Sequence, residues 1–303
     1  HFGRRLDLDS TQDDTTEFTA LLQRPRGPAT LESVAPATVC PQAASGWTGR
    51  PGIRGHRPDG SASAPRFEPT ALDLDGDIIT VTASDQAAGL TLITHFEVMP
   101  ASIRVRLDRR NDAGTNYQLE GLTATVPVPA RADELMRLTG RWSLEFQQRR
   151  HDWNDGMLSF DNRRGHTSHD RVSALFVGEA GFTENRGDVW GFALGWSGSA
   201  TTSAEVLSDG RRVVQMGELL TSGDVAIAPG ASHTTPWLEC AASDRGLNGL
   251  SQAFHASIRA QPVSPRIDRP RPVVLNTWEA VYFDHNLEKL RELATRAAQV
   301  GCE

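Results

Sequence analysis

A change of hydrophobic period near residue 246 limits the possible folds more than any other feature of this chain. From about residue 70 to residue 240, apolar and polar residues alternate over short runs, the period of half-buried antiparallel strands. Residues 78–83, 90–98, 103–107, 117–128, 142–146, 189–196 and 212–216 carry it. Asp75-Gly76 and Asp209-Gly210 read as two-residue hairpin turns, because glycine accepts the positive φ such turns demand. Many short strands with no helical pattern between them predict a mainly β chain, a sandwich of two large antiparallel sheets.

Beyond residue 246 the period lengthens. Leu247, Leu250, Phe254 and Ile258 recur every three or four residues and predict one amphipathic helix, followed by a Pro-rich linker over 261–272. A short apolar strand over 273–276 comes next, and then a helix with Leu287, Leu290, Leu293, Ala294, Ala297 and Val300 on one face. Strand, loop and helix open a β/α unit. Only 31 residues follow Pro272, whereas a complete β/α barrel takes ~250. The expected domains are a β-sandwich over 1–246, a linking helix and linker over 247–272, and a first, truncated barrel unit over 273–303.

Composition excludes several classes of function. With 31 basic and 38 acidic residues the net charge is -7, and no window gathers enough arginine for a phosphate-binding face, so no nucleic acid is expected as a partner. No run reaches the ~18 apolar residues of a membrane helix, so no membrane partner is expected either. Lys289 is the only lysine, a bias that GC-rich codons explain. Cys40, Cys240 and Cys302 are odd in number, far apart and without metal-ligand spacing, which predicts a reducing, cytoplasmic compartment and no metal site. The chain begins at His1 rather than Met, so an upstream segment is possible.

Several local constellations reduce to structure. In Asp73-Leu74-Asp75-Gly76-Asp77 the positions that an EF-hand reserves for glycine and a bidentate glutamate hold Ile78 and Ser84, so a hairpin turn is expected. His166-Thr167-Ser168-His169-Asp170 contains the residue types of a serine hydrolase, but neighbours in one loop cannot present a triad. Trp142, Trp153, Trp190 and Trp196 read as sandwich core rather than a sugar platform. One motif remains. Asn276-Thr277-Trp278-Glu279-Ala280 falls where the strand meets the helix, the end of a β/α barrel that builds its mouth. An indole there either stacks on the apolar face of a pyranose or plugs the barrel top, and position alone does not choose.

The run from Arg271 to Asp284, RPVVLNTWEAVYFD, closely resembles the start of the catalytic barrel in α-galactosidases of glycoside hydrolase family 36. Residues 187–198, 217–229 and 235–259 resemble the same family's N-terminal β-sandwich, and residues 46–67 and the opening His1-Phe2-Gly3 match more loosely. The resemblance implies a β-supersandwich, a linking helix and the first β/α unit of a (β/α)8 barrel, from a bacterial enzyme that hydrolyses terminal α-galactosides of the melibiose and raffinose type. It implies a retaining mechanism with two carboxylates ~5 to 5.5 Å apart. Both match positions beyond Glu303, so no catalytic residue is expected here and the chain alone should be inactive. Trp278 matches a pocket tryptophan. Asn276 and Asp284 are further substrate-binding candidates, although barrel-mouth hydrogen bonding and helix capping explain them equally well. No cofactor is implied, since carboxylate chemistry on an acetal needs none. Association of copies through the sandwich is also implied, with residues 47–67 as a candidate loop reaching a neighbour. The alternatives are a non-catalytic carbohydrate-binding or oligomerisation module, and a sibling α-N-acetylgalactosaminidase or galactosyl transferase.

Overall fold

A computed structural model describes residue 35 and residues 37–261 and 270–303. The described residues fall into two compact units, one ending at Ala260 and one beginning at Gln261. Most of the linker over 261–272 and the opening tripeptide lie outside the described residues.

The first unit is built from antiparallel strands: β1 (Ile53–His56), β2 (Glu68–Asp75), β3 (Ile78–Asp85), β4 (Leu90–Val98), β5 (Ile103–Asn111), β6 (Tyr117–Val128), β7 (Glu134–Arg141) and β8 (Leu144–Asp152) come first. They are followed by β9 (Met157–Asn162), β10 (Ala174–Gly178), β11 (Val189–Leu194), β12 (Ala200–Val206), β13 (Arg212–Glu218), β14 (Val225–Ile227), β15 (Ser232–Thr234) and β16 (Leu238–Ser243). One sheet has the order β1-β6-β13-β12-β9, with β14 also on β6. The other runs β2-β3-β4-β5-β16-β11-β10-β7-β8, with β15 also on β5, so β16 is the late strand that joins the early and middle strands.

The core lies where the inward residues of both sheets meet. On β5 the alternation buries Val105 and Leu107 and then continues inward with two polar residues, Arg109 and Asn111. Leu119 and Tyr117 on β6, Leu175 on β10 and Phe192 on β11 complete the same cluster. The Arg109 guanidinium lies 4.9 Å from the Phe67 ring centroid and 5.2 Å from that of Tyr117, and its Nη1 donates to the Thr91 and Arg110 carbonyls. Planar stacking on two rings lets an arginine enter a core that would reject a lysine.

A helix, α1 (Gly246–Ala260), covers the outer face of the larger sheet against β16 and β11. Leu250 packs there with Met136, Phe182, Val189 and Ala241. A Cβ on Gly191 would lie 2.6 Å from Leu250, so that glycine makes room for the helix. Ser257 rather than Ile258 faces inward: Ser257 is wholly buried and bonds Ser102 at 2.6 Å, while Ile258 is 54% exposed.

Several expectations need correction. Residues 142–146 do not make a strand of their own: Arg141 pairs with Leu144, so Trp142 and Ser143 form a hairpin turn, whose alternating text lacks any glycine to mark it, and residues 144–146 open β8. Of the four tryptophans expected in the core, Trp142 is 79% exposed and Trp196 40%, while Trp153 and Trp190 are buried. Asp209-Gly210 lies in a five-residue connection, since Val206 pairs with Arg212, whereas Gly76 sits in a two-residue turn between Asp75 and Ile78. Residues 47–67 are not a free loop: they contain β1, which pairs with β6, and Trp47, Ile53 and Phe67 are buried. Residues 273–276 form no strand among the described residues, because an isolated extended segment has no partner to complete a ladder.

Candidate functional site

The second unit places the barrel-mouth motif on a single helical turn, α2 (Trp278–Val281), followed by α3 (Leu287–Gln299). Asn276 starts the turn by accepting the Trp278 N–H on Oδ1 at 2.9 Å. This is the local side-chain-to-backbone bond by which asparagine ends an extended segment. The turn closes at Tyr282, which takes φ +46° and donates its N–H to the Trp278 carbonyl at 2.7 Å. Tyrosine rarely adopts that region, so the backbone is strained there. Asn286 caps α3 by accepting from the Glu288 and Lys289 N–H groups, and Lys289 Nζ donates back to the Ala280 carbonyl at 2.9 Å.

These bonds hold the Trp278 indole edge-on to two further rings. The Tyr282 centroid lies 5.6 Å away at 72°, and that of Phe283 5.0 Å away at 86°. Trp278, Tyr282 and Phe283 are 46%, 56% and 86% exposed, while Val281 beneath them is buried. Edge-to-face packing sets the indole plane at a steep angle to both rings. The sequence reading did not single out Tyr282 and Phe283, which lie four and five positions after Trp278.

Asn276 and Trp278 are therefore brought together by a hydrogen bond. Asp284 is not joined to them: its backbone N–H donates to the Val281 carbonyl at 2.8 Å, and the helix-capping role falls to Asn286. The segment from His166 to Asp170 is a connection between β9 and β10. Its His166 carbonyl accepts from Asn162, and Asp170 pairs with Arg164 at 3.2 Å. Asp73 to Asp77 lie on and around the β2–β3 turn. Among the described residues, no group of three His, Cys, Asp or Glu side chains is placed to hold a metal ion.

Known proteins match along the whole chain. Residues 1–228 match the glycosyl hydrolase family 36 N-terminal domain, and residues 232–303 match the melibiase domain. The chain belongs to glycosyl hydrolase family 36. An α-galactosidase of Escherichia coli is 37% identical over 94% of this chain, which spans 40% of that relative's length. The solved α-galactosidase of Lactobacillus brevis superposes with a TM-score of 0.81 at 23% identity, covering 99% of this chain and 44% of that one. A variant of the α-galactosidase AgaA from Geobacillus stearothermophilus, solved in complex with raffinose, also gives 0.81, at 22% identity and with 100% and 46% covered. These structures share the fold of the sandwich and of the start of the barrel.

Proposed function

We propose that this chain is the N-terminal part of a cytoplasmic, retaining α-galactosidase that acts on terminal α-galactosides of the melibiose and raffinose type. The observation that carries the reading is the exposed Trp278 indole, held edge-on by Tyr282 and Phe283 within a chain of this family. A galactose ring has one apolar face, and a fixed indole face removes that surface from water without touching the bond that breaks. Asn276 uses Oδ1 to start the turn, which leaves its Nδ2 to donate to a sugar hydroxyl. Asp284 is a third candidate contact through its carboxylate. In this reading the nucleophile and the acid/base are contributed by residues outside the chain, so the 303 residues alone do not turn over an aryl α-galactoside. Copies associate through the sandwich.

The test is Trp278→Ala in an enzyme that contains the whole barrel. Catalytic efficiency on melibiose should fall by the equivalent of about 1 to 3 kcal/mol, the worth of one buried aromatic face, with the melting temperature kept. Unchanged efficiency with a sharply lowered melting temperature would make Trp278 a plug and remove the sugar platform.

A further inference from the structure

Towards its β8 end, the inward face of the larger sheet changes from apolar to cationic. Leu135 on β7 is wholly buried in the core, and two residues further along the same face Arg137 stands directly opposite Arg149 on β8. Like charges at opposed positions, with Cβ atoms about 4.5 to 5.5 Å apart, weaken a sheet. A third arginine, Arg171, comes from the connection that leads into β10. Burial, and then the charges of Arg171 and Arg149, hold the Arg137 guanidinium below its ordinary value. Three guanidiniums meet here from three separate elements, so no single stretch of the sequence gathers them.

Most of their N–H groups are unspent. Arg137 donates Nε to His151 Nε2 at 3.4 Å, and its guanidinium lies 5.4 Å from the ring centroid of Phe160, which belongs to β9 of the smaller sheet. Arg171 donates Nη1 to the Asp170 carbonyl at 2.8 Å. Arg149 makes no hydrogen bond or ion pair among the described residues. The nearby acids are engaged elsewhere: Glu134 holds Arg150 at 2.6 Å, Asp161 holds Arg163 at 2.6 Å, and Asp170, whose charge also reaches Arg171, holds Arg164 at 3.2 Å. Arg150 belongs to the opposite face of the sheet, where its guanidinium lies 4.3 Å from the Phe182 ring centroid. On the inward face, Ser173 extends the β10 ladder by accepting the Leu194 N–H on its carbonyl, two residues before Leu175, which pairs with Arg137. Its Oγ is buried without a partner.

A guanidinium offers paired, coplanar N–H donors that fit two oxygens of one anion. A tetrahedral oxyanion has an oxygen for each of several such forks, and its double negative charge cancels the repulsion among them. We propose that Arg137, Arg149 and Arg171, with His151 and Ser173 beside them, form a binding site for a phosphate dianion, either free or carried as a monoester by a small molecule. The site lies wholly within the first unit and does not rest on the sugar reading of Trp278.

The test is calorimetric titration of the full-length protein with inorganic phosphate at constant ionic strength. One phosphate should bind per chain. Arg149→Gln and Arg171→Gln should each weaken it about tenfold or more, the worth of one charge-assisted contact. Arg137→Lys keeps the charge but loses the fork, and should weaken binding too. Arg150→Gln, on the same strand but the other face, should leave it unchanged. Far-UV circular dichroism and melting of each variant separate lost binding from lost folding. A hexose monophosphate titrated in parallel distinguishes the two sources: tighter binding than that of inorganic phosphate makes the monoester the occupant, and equal or weaker binding makes it free phosphate. No binding at millimolar phosphate, binding that survives in folded Arg149→Gln and Arg171→Gln proteins, or an equal loss in Arg150→Gln would overturn the site.

Discussion

At the scale of single residues, the sandwich core contains groups that charge only at a cost. Burial pushes the Cys40 thiol from 9.0 up to about 12, against the attraction of Arg109, and pushes the Cys240 thiol up as well, with Glu239 adding to the effect. The unfolded chain ionises these thiols near pH 9 while the folded core keeps them neutral. Their contribution to stability is whole below pH 9 and is lost as pH rises towards the folded values. Arg109 acts in the opposite sense, because burial lowers its guanidinium from 12.5 to about 10, so its effect begins only above that pH. Between pH 9 and 10 the thiols dominate. Urea unfolding should show stability falling there by up to ~1.4 kcal/mol per pH unit for each thiol, and Cys40→Ala should flatten the slope. At the candidate site, Asn276→Ala removes the bond that starts α2 and should raise the Michaelis constant of a full-length enzyme with little loss of melting temperature. Gln at position 276 would not restore it, since its longer side chain misplaces the acceptor. Asn276 and Trp278 stood out in the text because they fall where an apolar run gives way to a helix and lie within the run that resembles the family. Tyr282 and Phe283 did not, because a helix of one turn has no period to read.

Single elements show what alternation can and cannot reveal. β4 and β6 begin and end where the period-two pattern does. β12 is Ala-Thr-Thr-Ser-Ala-Glu-Val, and its first five residues are all buried. Small side chains on both faces let neighbouring layers approach closely, and they leave no hydrophobic signal in the text. The Trp142-Ser143 turn escaped for the opposite reason, because its residues continue the alternation through the reversal. β1 depends on a glycine: a Cβ on Gly55 would overlap the Gln118 carbonyl and stand 2.7 Å from the Tyr117 ring, at a register shift between Arg54 and Gly55. Gly55→Ala should therefore cost about 1 to 3 kcal/mol by overpacking. At Gly76, where nothing lies within 4 Å of the added carbon and only the φ of +56° is lost, alanine should cost about 1 kcal/mol. Chemical denaturation of the two variants checks the order.

For the whole molecule, the two units differ in how much each buries. In residues 270–303 the buried apolar side chains are Val281 and Ala297, whereas the described residues of the sandwich hide some three dozen. In the 303-residue protein, amides of α3 should exchange with deuterated solvent far faster than those around Leu107 and Phe192. Equal protection would mean that the second unit has a core of its own. The larger sheet carries a different consequence, one of timing. Leu238 on β16 pairs with Val105 on β5, a separation of 238 minus 105, or 133 residues. Long-range pairing of this kind slows folding. On a ribosome adding ~5 to 20 residues per second, the strands up to β5 would emerge roughly ten seconds before the strand that joins them to β11 exists. For that interval β5 presents an open edge to whatever other nascent strands are near. The six residues from Leu238 to Ser243 thus mark when the newborn chain stops being vulnerable to misassembly.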